Sequence, residues 1–235
     1  KAIVTGDIHY RGTNPRARLD DFQEALETKL YEVISLARRH EADCVIIPGD
    51  IFDGPAASWS TVARLMQILR TTADCPILTV SGNHDIFGGN KQSKFRTPYG
   101  FLVQTGFLWD VEESEFQGSS SEYVIVTGHG FDTNTDTKTP EGKAQFSPRT
   151  WVDGAFQVHV VHSMLMDRDP GFDMRHTLIS EVETSAQVII SGHEHTGFGI
   201  VKRESDGVLF INPGALCRLS AHAAEIERTV QVVLL

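Results

Sequence analysis

The chain has 235 residues, 40% of them hydrophobic and 22% charged, and a formal net charge of −10. This is a globular composition long enough to bury its own core, and its acidic balance excludes a global basic field that would draw in nucleic acid or an anionic membrane surface. Three widely spaced cysteines (Cys44, Cys75, Cys217) exclude a disulfide framework or a cysteine zinc site and suit a reducing, cytoplasmic setting, and no apolar run reaches the roughly 18 residues of a membrane span.

Residues 2–5 form the first predicted strand, closed by Gly6-Asp7-Ile8-His9. A polar loop with Arg11, Arg16 and Arg18 leads to a helix that starts near Asp20. Phe22, Leu26, Leu30, Val33 and Ala37 recur at spacings of three and four, which places them on one helix face. Asp20 with Gln23 has the form of a capping box, and Arg38, Arg39 and His40 suit the negative end of the dipole. Residues 44–48 are the next strand, followed by Gly49-Asp50-Ile51-Phe52-Asp53. The chain thus opens as a β-α-β unit, for which a right-handed crossover is expected. After a loop over Gly54 to Ser58, Val62, Leu65, Met66 and Leu69 mark a second helix. The strand at 77–80 ends in Ser81-Gly82-Asn83-His84-Asp85. The polar stretch Gly88 to Arg96 carries Lys91, Lys94 and Arg96, and Thr97-Pro98 opens a short helix that ends near Gly106.

Beyond this point the pattern changes. Leu108 to Glu112, Glu122 to Thr127 and Gln157 to His162 read as strands without an obvious crossover helix. Thr133 to Pro148 reads as an exposed, mobile loop, and His176 to Glu183 as a short helix. Residues 187–191 read as a buried strand that runs into Gly192-His193-Glu194-His195. Val208 to Ile211 and Thr229 to Leu234 are late strands assigned to a second sheet. With no repeat, low-complexity tract or linker, residues 1–235 read as one domain.

Four of these stretches share one grammar: an apolar run, a glycine, then residue types that ligate metals. Asp7 and His9 lie two residues apart, so on a strand they share a face, and at its C-terminal edge they could chelate one ion. Asp50, the pair Asn83 and His84, and the pair His193 and His195 occupy corresponding edges, and His162 ends its own apolar run. Mixed His, Asp and Asn ligation without thiolate suits Mn²⁺, Fe or Zn²⁺ better than Ca²⁺ or a structural zinc. A carboxylate shared by two ions makes a centre that clamps the attacking and leaving oxygens of a phosphate ester. The expected reaction class is in-line phosphoryl hydrolysis.

Asp-x-His, Gly-Asp-x-x-Asp, Gly-Asn-His-Asp, a lone His and Gly-His-x-His, in that order from residue 5 to about 215, resemble the calcineurin-like metallophosphoesterase superfamily. The resemblance implies an α/β fold of two facing mixed β-sheets flanked by helices. It implies two divalent metal ions, Mn²⁺ foremost, with Fe, Zn²⁺ and Mg²⁺ as alternatives. Asp7, His9, Asp50 and His195 would hold the first ion, and Asp50, Asn83, His162 and His193 the second, with Asp50 bridging. His84 would face the scissile phosphate as the catalytic group, and Asp85 would orient His84.

Gly49 to Asp53, the helix at 20–39, Gly192 to His195, and Asn212-Pro213-Gly214-Ala215-Leu216 with Arg218 look like the nuclease subunit of SbcCD-type DNA repair exonucleases. Phe52-Asp53-Gly54 and Asp85 depart from the Asp-Arg-Gly and Gly-Asn-His-Glu of protein serine/threonine phosphatases. The chain stops soon after the Pro-Gly turn, short of the capping domain and ATPase-binding segment of that group. A stand-alone relative without an ATPase partner is therefore expected. Such subunits pair as dimers, so a homodimer is a further expectation, with the first two helices as the candidate surface.

Plainer readings stand beside these. A strand-end Gly-Asp is commonly only a turn. Arg11, Arg16, Arg18, Lys91, Lys94 and Arg96 closely follow metal-type motifs and read as basic loops that grip the phosphates of a polymeric substrate. The plain alternative is a solvated surface loop. Tyr10, Phe87, Phe95 and Tyr99 could stack on bases or simply pack. His129 ends another strand and could approach substrate, or be a loop histidine satisfied by its neighbours. His162 is preferred to His159 because it ends the apolar run. Asp53 either supports the site or starts a helix, His176 is a cap or a substrate contact, and His40 and His222 are read as helix-end and surface residues.

The leading expectation is a Mn²⁺-dependent nuclease that hydrolyses phosphodiester bonds of single-stranded or duplex DNA, without membrane association. The second keeps the chemistry and changes the substrate to a small phosphodiester or monoester such as a nucleotide, which suits the acidic charge. The third, a non-catalytic protein-interaction scaffold, is opposed by the complete set of ligand-type residues.

Overall fold

The computed structural model describes residues 1–72, 75–118, 123–150 and 152–235. The apolar runs of the first half become short parallel strands separated by helices. They are β1 (Ala2–Val4), α1 (Phe22–His40), β2 (Cys44–Ile47), α2 (Trp59–Leu69), β3 (Ile77–Thr79), α3 (Pro98–Gln104) and β4 (Trp109–Asp110). The second half holds β5 (Phe116–Gln117), β6 (Val124–His129), α4 (Pro140–Ala144), β7 (Phe156–Ser163), β8 (Leu165–Met166) and β9 (Thr177–Leu178). It continues through β10 (Val188–His193), β11 (Gly199–Lys202), β12 (Leu209–Asn212), α5 (Ala223–Glu227) and β13 (Val233–Leu234).

One sheet has the order β13-β1-β2-β3-β4 and the other β11-β12-β10-β7-β6-β5. In each, four strands run parallel (β1 to β4 in the first, β12, β10, β7 and β6 in the second), and β13, β11 and β5 are added antiparallel at the edges. A parallel strand buried on both faces must be apolar at every position. The period of two then divides its residues between two cores. Ala2, Val4, Cys44, Ile46, Leu78, Val158, Val160, Val188, Ile190 and Ile211 meet between the sheets. Ile3, Val45, Ile47 and Ile77 face the opposite way, against α1, α2 and α3. On the outer face of the second sheet, Val161, Ile189 and Phe210 pack with Phe146, Leu165 and Ile179. The result is the expected pair of facing mixed sheets with flanking helices.

Several expectations change. Helix α1 is capped by Asp21, whose carboxylate accepts from the Glu24 amide at 3.0 Å. Asp20 is held instead by the Arg18 guanidinium, with Nε to Oδ1 at 2.7 Å. The last strand, β13, belongs to the first sheet, not the second. Its register sets Ile3 against Leu234 and Val4 against Val233, and Val233 is thereby buried between the sheets. The stretch 133–148 is not an exposed loop: it contains α4 and buries Thr135, Asp136, Gln145 and Phe146. Its polar side chains bond to one another, since Thr135 Oγ1 donates to Gln145 at 2.9 Å and Gln145 donates to Asp132 at 2.8 Å. The helix expected at 176–183 is strand β9 followed by a single 3₁₀ turn, Ile179–Glu181. Strand β6 begins at Val124; Glu122 lies outside the described residues. The apolar stripes of α1 and α2 are spent on the core. Among the described residues no helix is long and apolar enough to cross a membrane.

Ile46→Ala removes a side chain packed between the sheets and should lower the unfolding free energy by roughly 2–5 kcal/mol. Ile200→Ala, at a half-exposed position of edge strand β11, should stay within about 0.5 kcal/mol. Urea unfolding of the two variants checks the division.

Candidate metal centre

The strand-end motifs converge where the C-terminal edges of both sheets meet. Asp7 and His9 follow β1, Asp50 follows β2, and Asn83 and His84 follow β3. From the second sheet come His162 near the end of β7, His193 as the last residue of β10, and His195 just beyond it. The connecting backbones are bonded to one another. The Asp50 carbonyl accepts from the Ile8 and His9 amides at 3.2 and 2.9 Å, and the Asp7 carbonyl accepts from Leu216 at 2.9 Å. His9, Asp50 and His193 have positive φ of 44°, 48° and 78°. A non-glycine residue in that region costs on the order of 1 kcal/mol or more, and only surrounding structure holds it there.

Close approach explains two of the motif glycines. A Cβ on Gly82 would lie 2.1 Å from Asp50 Oδ1, and one on Gly192 would lie 2.3 Å from Asp7 Oδ1. Each glycine therefore leaves the space that a carboxylate occupies, from the end of the neighbouring strand β2 at Gly82 and from the end of β1 in the facing sheet at Gly192.

Three groups of ligand-type atoms result: Asp7, His9, Asp50 and His195 in the first, Asp50, His162 and His193 in the second, and His9, Asp53 and His84 in the third. Asp50 is common to the first two. His9 Nε2 lies 3.0 Å from His195 Nε2, 3.4 Å from Asp50 Oδ2 and 3.9 Å from Asp7 Oδ2. His162 Nε2 lies 3.4 Å from Asp50 Oδ2 and 3.0 Å from Asn83 Oδ1, which adds the amide to the second group. The His162 ring is fixed because its Nδ1–H donates to the Pro48 carbonyl at 2.8 Å.

This concentration of charge leaves buried atoms unsatisfied. Asp7 Oδ1, Asp50 Oδ2 and His9 Nδ1 have no hydrogen-bond partner. Burial pushes His9 down to about 4 although Asp50 and Asp7 oppose it, and burial with the His162 charge pushes His193 down to about 4. Burial disfavours charge on His162 as well, yet the adjacent Asp50 pushes it up to about 10. Against its own burial, His162 and His9 hold the Asp50 carboxyl well below the usual range. Two imidazoles forced neutral, His9 and His193, and a third, His162, held charged by Asp50 surround ionised, under-bonded carboxylates, and such a donor set fits divalent cations. None of the three cysteines joins any of these groups.

His84 lies outside the two groups that share Asp50 and belongs to the third, with His9 and Asp53. Its amide donates to Asp50 Oδ1 at 2.8 Å, and its Nδ1–H donates to the Asp53 carbonyl at 2.8 Å. Its ring meets His9 edge-on, with centroids 4.8 Å apart. The role expected of Asp85 needs correction. Asp85 spends its oxygens on the amides of Phe52 at 3.0 Å, Ile51 at 3.2 Å and Gly82 at 2.9 Å. It ties the loop after β3 to the loop after β2, and the ring of His84 is oriented by a backbone carbonyl instead. Burial and the neighbouring Asp50 push the Asp85 carboxyl up to about 8, although the three amides favour its charge.

The basic residues expected at the rim divide. Lys94 is buried and ion-paired to Asp110 at 2.9 Å and Glu113 at 2.6 Å, so it belongs to the interior and not to a phosphate grip. Lys91 pairs with Glu112 and lies 3.1 Å from His129 Nε2. Burial and Lys91 push His129 down to about 4, which makes it part of this ion cluster. Arg18 is turned to Asp20 and to the Arg218 carbonyl at 3.0 Å. Arg11 pairs with Asp53 at 2.8 Å, while Arg16 and Arg96 are exposed. Tyr10 and Tyr99 are fully buried and cannot stack on a base; Phe87 and Phe95 are exposed. His159 is buried between Thr127 Oγ1 and the Gln145 carbonyl, away from these groups.

Some contributors were invisible in the motifs. The Pro48 and Asp53 carbonyls orient rings through the backbone, which carries no residue-type signal. Phe131 packs against His193 and His162, with centroids 5.7 and 6.3 Å apart. Asp136, at φ 58°, accepts from Ser163 Oγ at 2.6 Å, the Met164 amide at 2.8 Å and Thr177 Oγ1 at 2.8 Å. It fastens the chain just past His162. Its position after an apparent loop gave no hint of this, although an Asp is among the residues that tolerate a left-handed backbone.

Comparison with known proteins follows the same lines. The calcineurin-like phosphoesterase family profile matches residues 1–197. The double-strand break repair protein MRE11 of Encephalitozoon cuniculi (strain GB-M1) is 23% identical over 256 aligned residues. The alignment covers 94% of this chain and 42% of that protein, so the chain spans about two fifths of the relative's length. Two crystal structures share the fold. One is a dimetal phosphatase from Danio rerio, with TM-score 0.52, 14% identity and coverage of 91% of this chain and 87% of that one. The other is the protein TT1561 of Thermus thermophilus, with TM-score 0.51, 13% identity and coverage of 91% and 88%.

Gly82→Ala should push Asp50 out of place and weaken metal binding by on the order of tenfold or more, while Gly54→Ala, which meets open space, should not. Titration calorimetry with Mn²⁺ distinguishes them. Asp85→Ala strands buried amides in two loops and should cost on the order of 3 kcal/mol of stability by chemical denaturation. A variant of undiminished stability would return Asp85 to a role confined to His84.

Proposed function

This chain belongs to the calcineurin-like phosphoesterase family, and on that premise we propose that it is a two-metal nuclease acting on DNA phosphodiester bonds. The metal-dependent phosphoesterase chemistry comes with the family and with the clustered ligand-type residues. The observation that carries the nuclease reading is the similarity to MRE11, which extends along 94% of the chain. We assign residues 1–235 to one phosphoesterase domain and carry over no partner of the longer relative.

In this reading Asp7, His9, Asp50 and His195 hold one ion, and Asp50, Asn83, His162 and His193 hold the other. The mixed His, Asp and Asn set without thiolate suits Mn²⁺, Fe or Zn²⁺, and we take Mn²⁺ as the first of these. Two divalent ions, when bound, supply positive charge that polarises a phosphoryl group and acidifies water. The chain supplies the rest. Gly82 and Gly192 leave room for the carboxylates, and the Pro48 carbonyl presents His162 with Nε2 toward the centre. The Asp53 carbonyl holds His84 Nδ1–H, leaving Nε2 to face the substrate. As water adds to phosphorus and the P–O bond to the leaving group breaks, protonated His84 gives its Nε2 proton to the departing oxygen.

A second reading, hydrolysis of a small phosphate ester, draws on the neutralised rim. Lys91 and Lys94 are paired to carboxylates, and the net charge is −10. Metal-stripped protein reconstituted with Mn²⁺, Mg²⁺ or Zn²⁺ and assayed on single-stranded DNA, linear duplex, a generic diester and a generic monoester separates the two. Preferential turnover of the monoester would overturn the nuclease assignment.

Asp50→Ala should abolish Mn²⁺-dependent turnover and binding of both ions. His84→Ala should retain both ions, counted by elemental analysis, while kcat falls by roughly 10²–10⁴-fold. Loss of metal from His84→Ala would make that residue a ligand and refute the division of roles.

A further inference from the structure

One buried atom of the centre is left without the partner it ordinarily has. His9 Nδ1 makes no hydrogen bond, although the residue is only 1% exposed. An imidazole that holds a metal through one nitrogen ordinarily donates the other N–H to a carboxylate or a carbonyl. The carboxylate at hand is Asp53, with Oδ1 3.8 Å from His9 Nδ1. That is beyond hydrogen-bond reach. What holds Asp53 off is visible: Arg11 Nη1 lies 2.8 Å from its other oxygen.

Arg11 and Asp53 line a cleft of about 580 Å³, with Thr13, Ser58, Ser60 and Thr61 among its walls. The cleft adjoins the reacting groups, because the main chain of the same Asp53 orients His84. Its walls combine one guanidinium with several hydroxyls, which are donors suited to phosphate oxygens. Arg11 Nε and Nη2 are steadied by Thr13 Oγ1 at 3.3 and 3.2 Å, so the guanidinium is placed at the cleft and not adrift in solvent.

We propose that this cleft is a subsite for a second phosphate of a single-stranded nucleic acid, next to the scissile one, with Arg11 as its anion-binding group. The proposal rests on the phosphodiesterase reading above. The Arg11–Asp53 ion pair is the empty form of the subsite. When a phosphate enters, the guanidinium exchanges the Asp53 carboxylate for phosphate oxygens, which it can meet with two parallel N–H donors. Asp53, released, accepts the Nδ1–H of His9. Asp53 is thus a positioning residue that links occupancy of the cleft to a side chain of the centre. Only hydrogen bonds change hands.

The two halves of the ion pair then have opposite effects on binding, whereas a purely structural tie would make them equivalent. The test uses a fluorescein-labelled phosphorothioate single-stranded oligonucleotide, which resists cleavage, with fluorescence anisotropy over a range of salt concentrations. Arg11→Ala should weaken binding by about tenfold or more. It should also make the slope of log K against log salt shallower by about 0.7, the loss of one phosphate contact. Arg11→Lys, which keeps the charge, should keep the slope. Asp53→Asn should bind the oligonucleotide more tightly, because the competing carboxylate charge is gone, while kcat on a generic diester falls. Affinities that move in the same direction in Arg11→Ala and Asp53→Asn, or a slope unchanged in Arg11→Ala, would overturn the proposal. Turnover of bis-p-nitrophenyl phosphate by the unsubstituted protein tests the catalytic reading by itself. If that turnover is absent while the binding pattern holds, the subsite stands and the catalytic reading falls.

Discussion

The buried carboxylate of Asp50 is the constraint on which the rest of the centre depends. One oxygen accepts the His84 amide, and the other lies 3.4 Å from both His9 and His162 without a hydrogen bond of its own. Its main-chain carbonyl accepts two further amides from the loop after β1. An ionised carboxylate in that position is tolerable only with positive charge beside it. The neighbouring histidines cannot all supply it, since protonating one opposes protonating the next. The paired shifts of His162 upward and of His9 and His193 downward are the signature of that competition. Divalent cations resolve it for every member at once.

Around this residue the fold is an arrangement for bringing two sheet edges together. Parallel strands share a direction, so their C-terminal ends lie on one side, and packing two such sheets face to face puts both sets of ends at one rim. The sandwich core of valines and isoleucines sets the spacing. Close approach is then limited by side-chain bulk at the turns, which is why glycines stand where carboxylates from other strand ends must pass. The positive φ of His9, Asp50 and His193 shows where backbone strain collects, and the bonded loops around them hold it in place.

The surroundings are more strongly neutralised than a row of lysines and arginines suggests. Lys91, Lys94, Glu112, Glu113, Asp110 and Asp132 form one ion cluster beside His129. Such a buried cluster organises the segment that follows His84 and does not extend a positive field into solvent. Arg11 differs because it lines an open cleft, even though it too is paired.

The sequence by itself determined the strands that carry the ligand-type residues, the helices between the first of them, and the chemical kind of the centre. Four apolar runs, each followed by glycine and ligand-type residues, specify strands and the positions just past them, because strand periodicity and turn chemistry are local. His162 was separable from His159 for the same reason, since one ends an apolar run and the other lies within it. What only the tertiary structure decided was partnership. Asp85 reads like a support for its neighbour His84, but it bonds amides more than 30 residues away, at Ile51 and Phe52. Lys94 reads like a phosphate grip, but carboxylates at Asp110 and Glu113 take it inward. Strand β13 reads like a continuation of the second sheet, yet it closes the first by pairing with β1. Asp136 reads like loop polarity, yet it anchors the chain past His162. In each case residue type limits which bonds a side chain can make, and the choice among them depends on groups distant in sequence that only folding brings within reach.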